Sequence, residues 1–156
     1  MQVYRLYEKN PLHSSLGFGG GGGGRWNYAG APLIYASNII SLPFLELYSI
    51  KGTAVTTSKW ILATLEIEGE IPMLEPDNLP ADWNRRPHSR TTKDFGTAWA
   101  NSKEMLCLKV PSARIPLSAY PSEFNLLLNP LHPGFYENVK VNSEENVSFA
   151  INEVKK

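Results

Sequence analysis

Between Lys9 and Lys51 only Arg25 and Glu46 carry a full charge, in a stretch otherwise built from apolar, aromatic, small and uncharged polar residues. A stretch this poor in charge should be largely buried, and an ionised group inside it needs a partner or a task. A guanidinium such as that of Arg25 can grip an anion bidentately, and a carboxylate such as that of Glu46 can stabilise positive charge developing on a substrate. The alternative is structural: the two side chains form an ion pair and do no chemistry. On the residues alone both readings stand.

The segment before Arg25 narrows the ligand. Residues 19–24 are six consecutive glycines, and each glycine costs backbone entropy on folding. Such runs often link domains. Here too little chain precedes the run to form a domain, so it is expected to be a loop inside a single domain over residues 1–156. A P-loop needs Gly-Lys-Ser/Thr after its spacing, whereas Arg25-Trp26 follows here. The dinucleotide fingerprint needs a helix after its glycines, and "RWNYAGAP" is no helix start. What remains is a backbone able to approach a ligand closely, ending in an arginine suited to a diphosphate.

The elements that must position these residues follow from periodicity. "QVYRLY" alternates as a first strand and "APLIYAS" is a short buried one. "LPFLELYSI" reads as a helix, N-capped by Ser37 or Ser41 and ended by Lys51-Gly52. "WILATLEIEG" alternates as a half-exposed strand, and four prolines make residues 70–90 mostly loop. "TTKDFGTAWANS" is a helix with Phe95 and Trp99 one turn apart, while "EMLCLKVPS" and "FNLLLNP" are strands with proline stops. "YENVKVNSEENVSFAINEV" is expected to close the sheet as a hairpin around residues 142–146. The fold class is α+β, a mixed central β-sheet with flanking helices.

Composition excludes several functions. Fifteen basic and fifteen acidic residues cancel in this chain of 156, so no whole-chain field attracts nucleic acid or an anionic membrane. A local basic group remains at Arg85, Arg86, His88, Arg90 and Lys93. Cys107 is the only cysteine and lies in an apolar run, which excludes an internal disulfide and suggests a buried small hydrophobe. No His/Cys cluster has metal-ligand spacing, so no metal is expected. His132 in "NPLHPGF" reads as a turn residue. With no long apolar span and no signal-peptide core, a cytoplasmic location is expected.

Several fragments in order then resemble a known family. "GGRWN", "PLIYAS", a helix ending in "LE", "GTAWANS", "CLKVPSARIP" and "FNLLLNPLHPGF" resemble the RES-domain toxins of bacterial toxin–antitoxin pairs, from Tyr4-Arg5 to about Val141. The resemblance implies a fold related to ADP-ribosyltransferases and an activity on NAD as substrate. That activity is either destruction of NAD by hydrolysis or phosphorolysis, or transfer of ADP-ribose to a protein. It matches the family's active-site residues to Arg25, Tyr35, Glu46 and Ser112. It implies contacts to NAD from Arg25, Trp26, Asn27, Tyr35 and Asn125, with Asn129 beside the last. It also implies a cognate antitoxin with a DNA-binding helix-turn-helix domain, and leaves a homodimer open. Thr97 stands where an Asp often precedes Ala-Trp, and the glycine run is longer than the family's usual pair.

The chemistry is consistent with so few ionisable groups. Nicotinamide leaves NAD as a neutral molecule, so no general acid has to protonate it, whereas an ordinary glycoside needs two carboxylates. One carboxylate near the ribose suffices, which Glu46 can supply. Arg25 would anchor the diphosphate or the adjacent ribose, Tyr35 could stack on nicotinamide, and Ser112 would orient the ribose or Glu46. A non-catalytic interaction module, with Arg25 and Glu46 merely paired, is the competing reading.

Overall fold

A computed structural model describes residues 1–18 and 23–152. Residues 19–22 of the glycine run, which were expected to approach the ligand, lie outside the described residues. The strands are β1 (Gln2–Glu8), β2 (Ile34–Ser37), β3 (Trp60–Ile67), β4 (Cys107–Val110), β5 (Asn125–Leu128) and β6 (Val139–Val147). The helices are α1 (Ser41–Lys51), α2 (Arg90–Ser102) and the single turn α3 (Phe135–Asn138). The strands form one sheet in the order β4-β5-β2-β1-β3-β6, with every neighbouring pair antiparallel. The α+β class read from the sequence is the one observed.

Alternation along the central strands splits the interior in two. Ile34 and Ala36 join Val3, Leu65, Leu126, Leu128 and Phe135 in one cluster. Tyr35 and Leu127 point the other way, to Leu108, Val110, Trp26 and the α2 residues Phe95, Trp99 and Ala100. β3 is more buried than its half-exposed pattern predicts, because Trp60 and Leu62 are also covered. Trp60 turns back and donates its Nε1–H to the Val55 carbonyl, 2.8 Å away in the 3₁₀ segment Gly52–Thr57.

Two local expectations are corrected. The sequence 139–147 is one strand and not a hairpin: it pairs along the whole of β3 from Ile67↔Val139 to Trp60↔Val147. The turn-forming Asn142 is absorbed as an extra residue where the register steps from Thr64↔Ser143 to Leu65↔Val141. Pairing a long free edge satisfies more backbone groups than a two-residue turn would, and the exposed Lys140, Glu144 and Glu145 then guard the outer edge. Helix α1 also lacks a serine cap. Ile40 occupies the N-cap position with helical dihedrals and no side-chain cap, because the chain turns into the helix before Ser41. Pro43 falls in the first turn, where its missing N–H costs nothing. Gly52 ends the helix at φ 57°, a conformation that suits glycine. Helix α2 has the side-chain cap that α1 lacks: Ser89 Oγ accepts the Thr92 N–H at 3.1 Å.

Candidate active site

The strand registers carry polar side chains to one end of the sheet. Ser37 closes β2, Asn125 opens β5 directly opposite it, and Val110 closes β4 opposite Asn125, with Ser112 just beyond. Glu46, just over one turn into α1, meets two of these, Ser112 and Asn125. Its Oε1 accepts Ser112 Oγ–H at 2.6 Å and Asn125 Nδ2–H at 2.9 Å. The Asn125 amide is oriented from behind, since its Oδ1 accepts Ser37 Oγ–H at 2.6 Å. Ser112 Oγ in turn accepts the Arg114 N–H at 3.1 Å. Glu46 Oε2 faces Arg114 Nε at 3.4 Å, and about a quarter of the Glu46 side chain (26%) is exposed. The carboxylate is thus fixed in place on one oxygen and paired with Arg114 on the other, while the side chain stays partly exposed.

Arg25 is held by different means. It sits in a turn closed by Gly24 N–H donating to Asn27 O at 3.1 Å. The Tyr35 hydroxyl secures that turn, accepting the Trp26 N–H at 3.1 Å and donating to Asn27 Oδ1 at 2.6 Å. Burial of the Tyr35 phenol pushes its pKa upward, so it stays a neutral donor throughout the physiological range. Helix α2 supports the turn from the other side. A Cβ on Gly96 would lie 1.8 Å from the Trp26 carbonyl oxygen, so only glycine permits this approach. Thr97 Oγ1 accepts the Tyr28 N–H at 3.1 Å. Gly23 and Gly24 are required as well. Gly23 has φ 77°, and a Cβ on Gly24 would lie 2.7 Å from the Tyr35 hydroxyl. Upstream of the glycines, Arg5 pins the chain by donating to the carbonyls of Ser15 at 2.9 Å and Gly17 at 2.6 Å. Burial pulls its pKa down to about 10, still far above neutrality.

The Arg25 guanidinium donates from Nη1 to the carbonyls of Trp83 at 2.8 Å and Arg85 at 3.0 Å. Its Nε and Nη2 make no hydrogen bond among the described residues, which leaves an edge of the guanidinium for a ligand. Burial lowers the Arg25 pKa, Glu46 opposes that shift through space, and Arg86 adds to it. The structural ion pair between Arg25 and Glu46 is not formed; the partner of Glu46 is Arg114. Arg25 and Glu46 both line one cleft of about 570 Å³, together with Tyr35, Ser37, Arg114 and Asn125. That volume lies within the range of about 300–1,000 Å³ usual for small-molecule sites.

The other residues singled out in the sequence are dispersed. Trp26 is the exception: it lines the cleft beside Arg25, although it is largely core, 2% exposed and edge-on to Phe95 with ring centroids 5.9 Å apart. The Asn27 amide is engaged internally, its Nδ2 donating to Ala31 O at 2.9 Å. Asn129 is buried and donates to Ala100 O at 2.9 Å, just past the end of β5 opposite to Asn125 and outside the cleft. His132 accepts the Gly134 N–H in a turn. Cys107 is buried, and its thiol pKa is pushed up to about 11 by that burial. Sequence reasoning gave no role to Ser37 in the site, to Gly96 or to Arg114. Only Arg114 had a usable signal, as the single charge in the motif "VPSARIP".

A family model described as "RES domain" matches residues 2–151. The "Toxin Res" of Yersinia enterocolitica is 37% identical over 153 residues, covering 96% of each chain. The "Prs ADP-ribosylating toxin" of a Sphingobium strain is 34% identical over 115 residues, covering 71% of this chain and 68% of that one. In fold, the chain is similar to one in the crystal structure of the M. tuberculosis MbcT–MbcA toxin–antitoxin complex, with a TM-score of 0.71 at 18% identity, covering 94% of this chain and 84% of the other.

Proposed function

The chain belongs to the RES domain family, and from that premise we propose that it is the toxin of a toxin–antitoxin pair, an enzyme that cleaves the nicotinamide–ribose bond of NAD. The observation that carries the reading is the Glu46 carboxylate, fixed by Ser112 and Asn125 on one oxygen, facing Arg114 with the other and still partly exposed, in the cleft that also holds Arg25.

In this reading Arg25 binds the diphosphate with its free edge. Glu46 lies against the nicotinamide ribose and stabilises the positive charge that develops as the glycosidic bond breaks. Ser112 and Asn125 hold the carboxylate rather than the substrate, and Asn125 acts on the ligand only through Glu46. The Tyr35 ring lines the cleft, where nicotinamide can stack on it, while its hydroxyl fixes the Arg25 turn. Trp26 and Asn27 serve as backbone and support of that turn. Nicotinamide departs neutral, so the site needs neither a second carboxylate nor a metal.

Hydrolysis or phosphorolysis depletes NAD in the cytoplasm and stops growth. Transfer of ADP-ribose to a protein is the second reading, favoured by the similarity to the Sphingobium ADP-ribosylating toxin. NAD labelled in its adenylate half separates them: label in free small molecules supports NAD destruction, and label on a protein acceptor supports transfer. The toxin reading also requires a cognate antitoxin, proposed to carry a DNA-binding helix-turn-helix domain; the similarity in fold to a toxin taken from a toxin–antitoxin complex supports such a partner. Growth arrest on expression, relieved by the product of the adjacent reading frame, is the expected outcome. Arrest that persists beside that product would count against the pairing.

A further inference from the structure

The basic group at residues 85–93 does not form a free surface. Arg86 and His88 line the same cleft as Arg25, Glu46 and Arg114. The segment carrying them runs from the carbonyls of Trp83 and Arg85, which receive Arg25, toward α1, where Arg86 Nη1 donates to Ser49 O at 3.5 Å. The charges in this lining do not balance: Arg25, Arg86 and Arg114 face Glu46 alone, in a chain whose net formal charge is zero. Glu46 pairs with Arg114, which leaves Arg25 and Arg86 without a carboxylate among the described residues. Two cations near enough to disfavour one another, on a wall open to solvent, are arranged for an anion that joins them.

His88 adds a third donor. Its Nδ1 is buried with no hydrogen-bond partner among the described residues. A sealed N–H without an acceptor is rarer and costlier than a sealed lone pair, so the ring proton belongs on Nε2. Burial first, then the charges of Arg25, Lys93 and Arg86, lower the pKa of the ring, with Glu46 acting in the opposite sense. The Nε2–H is then the free donor of a ring that lines the cleft.

We propose that Arg86 and His88 complete, with Arg25, a diphosphate subsite, so that the cleft accepts nucleoside diphosphates as a class, the two phosphates lying along residues 83–88. This rests on reading the cleft as a dinucleotide site and specifies where the diphosphate lies within it. A phosphate pair then bridges guanidinium groups from two segments that the Arg25 hydrogen bonds to Trp83 and Arg85 already join.

The test is calorimetric binding of ADP, with adenosine as the phosphate-free control, to the wild type, Arg86→Gln and His88→Ala. Arg86 is exposed, so its replacement should leave the fold intact. The expected result is about tenfold weaker ADP binding in Arg86→Gln, the loss of one charge-assisted contact, and a smaller loss in His88→Ala. Adenosine should bind all three proteins alike, and added salt should narrow the difference between wild type and Arg86→Gln. Equal ADP affinity in all three, no ADP binding by the wild type, or equal losses for ADP and adenosine would each overturn the subsite. A wild type that binds ADP but releases no nicotinamide from NAD would uphold the subsite and remove the proposed activity.

Discussion

The two charged residues of the cleft are positioned by contrasting parts of the molecule. Glu46 is fixed by direct hydrogen bonds from Asn125, at the start of β5, and from Ser112, just past β4, with Ser37 in register behind Asn125. Arg25 rides on a turn held by one phenol hydroxyl, one helix glycine and backbone carbonyls of a loop. A carboxylate that must act on one bond needs the stiffness of a sheet end. An arginine that grips a diphosphate needs reach, and a glycine-flanked turn gives it. Damage at the sheet end should therefore appear in the rate of bond cleavage, and damage at the turn in substrate affinity.

The largest effect is expected from Glu46→Gln. Glutamine can still accept from Ser112 and Asn125, so the fold should survive. The rate of nicotinamide release should fall about 10²–10³-fold, corresponding to ~2.7–4 kcal/mol of lost electrostatic stabilisation. Gly96→Ala comes next, since its methyl group would collide with the Trp26 carbonyl. A loss of about 1–3 kcal/mol in denaturant unfolding is expected from such overpacking, with a raised KM because the Arg25 turn shifts. Tyr35→Phe removes the hydroxyl shared by Trp26 N–H and Asn27 Oδ1. It should cost about 1–2 kcal/mol of stability and raise KM more than it lowers kcat. A Tyr35→Phe variant whose defect lay entirely in kcat would break the contrast between the two halves.

The smallest effect is expected from Ser37→Ala, which touches neither Glu46 nor the cleft's charged groups and acts by freeing the Asn125 amide to rotate. A kcat lowered severalfold at unchanged KM is the expected result, equivalent to about 1 kcal/mol. An unchanged kcat would show that Asn125 is oriented without it.

The same contrast explains what is legible in the sequence. Strands β1 to β5 and both long helices follow from periodicity, and the isolation of Arg25 and Glu46 from other charges is enough to mark them as the pair to follow. Their partners are not legible. Arg114 reaches Glu46 from a distant part of the chain, so nearness in sequence favours Arg25 instead. Ser37 reads as a cap because its hydroxyl precedes a helix, whereas strand register gives that hydroxyl to Asn125. Asn142 reads as a turn when local preference is weighed without the free edge of β3, which turns it into a bulge. The Gly96 approach has no local signature, since a glycine inside a helix looks the same whether or not a neighbouring backbone lies against it. Periodicity reports what one element does; these contacts depend on where two elements meet.

Cleavage of NAD at the ribose beside Glu46 is the central claim. Nicotinamide release should be followed with purified protein, freed of any bound partner, beside Glu46→Gln at matched folding, with phosphate and candidate protein acceptors supplied. The expected result is release by the wild type, in step with loss of NAD, and its near-disappearance in the variant. NAD left intact by the wild type, or release at equal rates by both proteins, would contradict the claim.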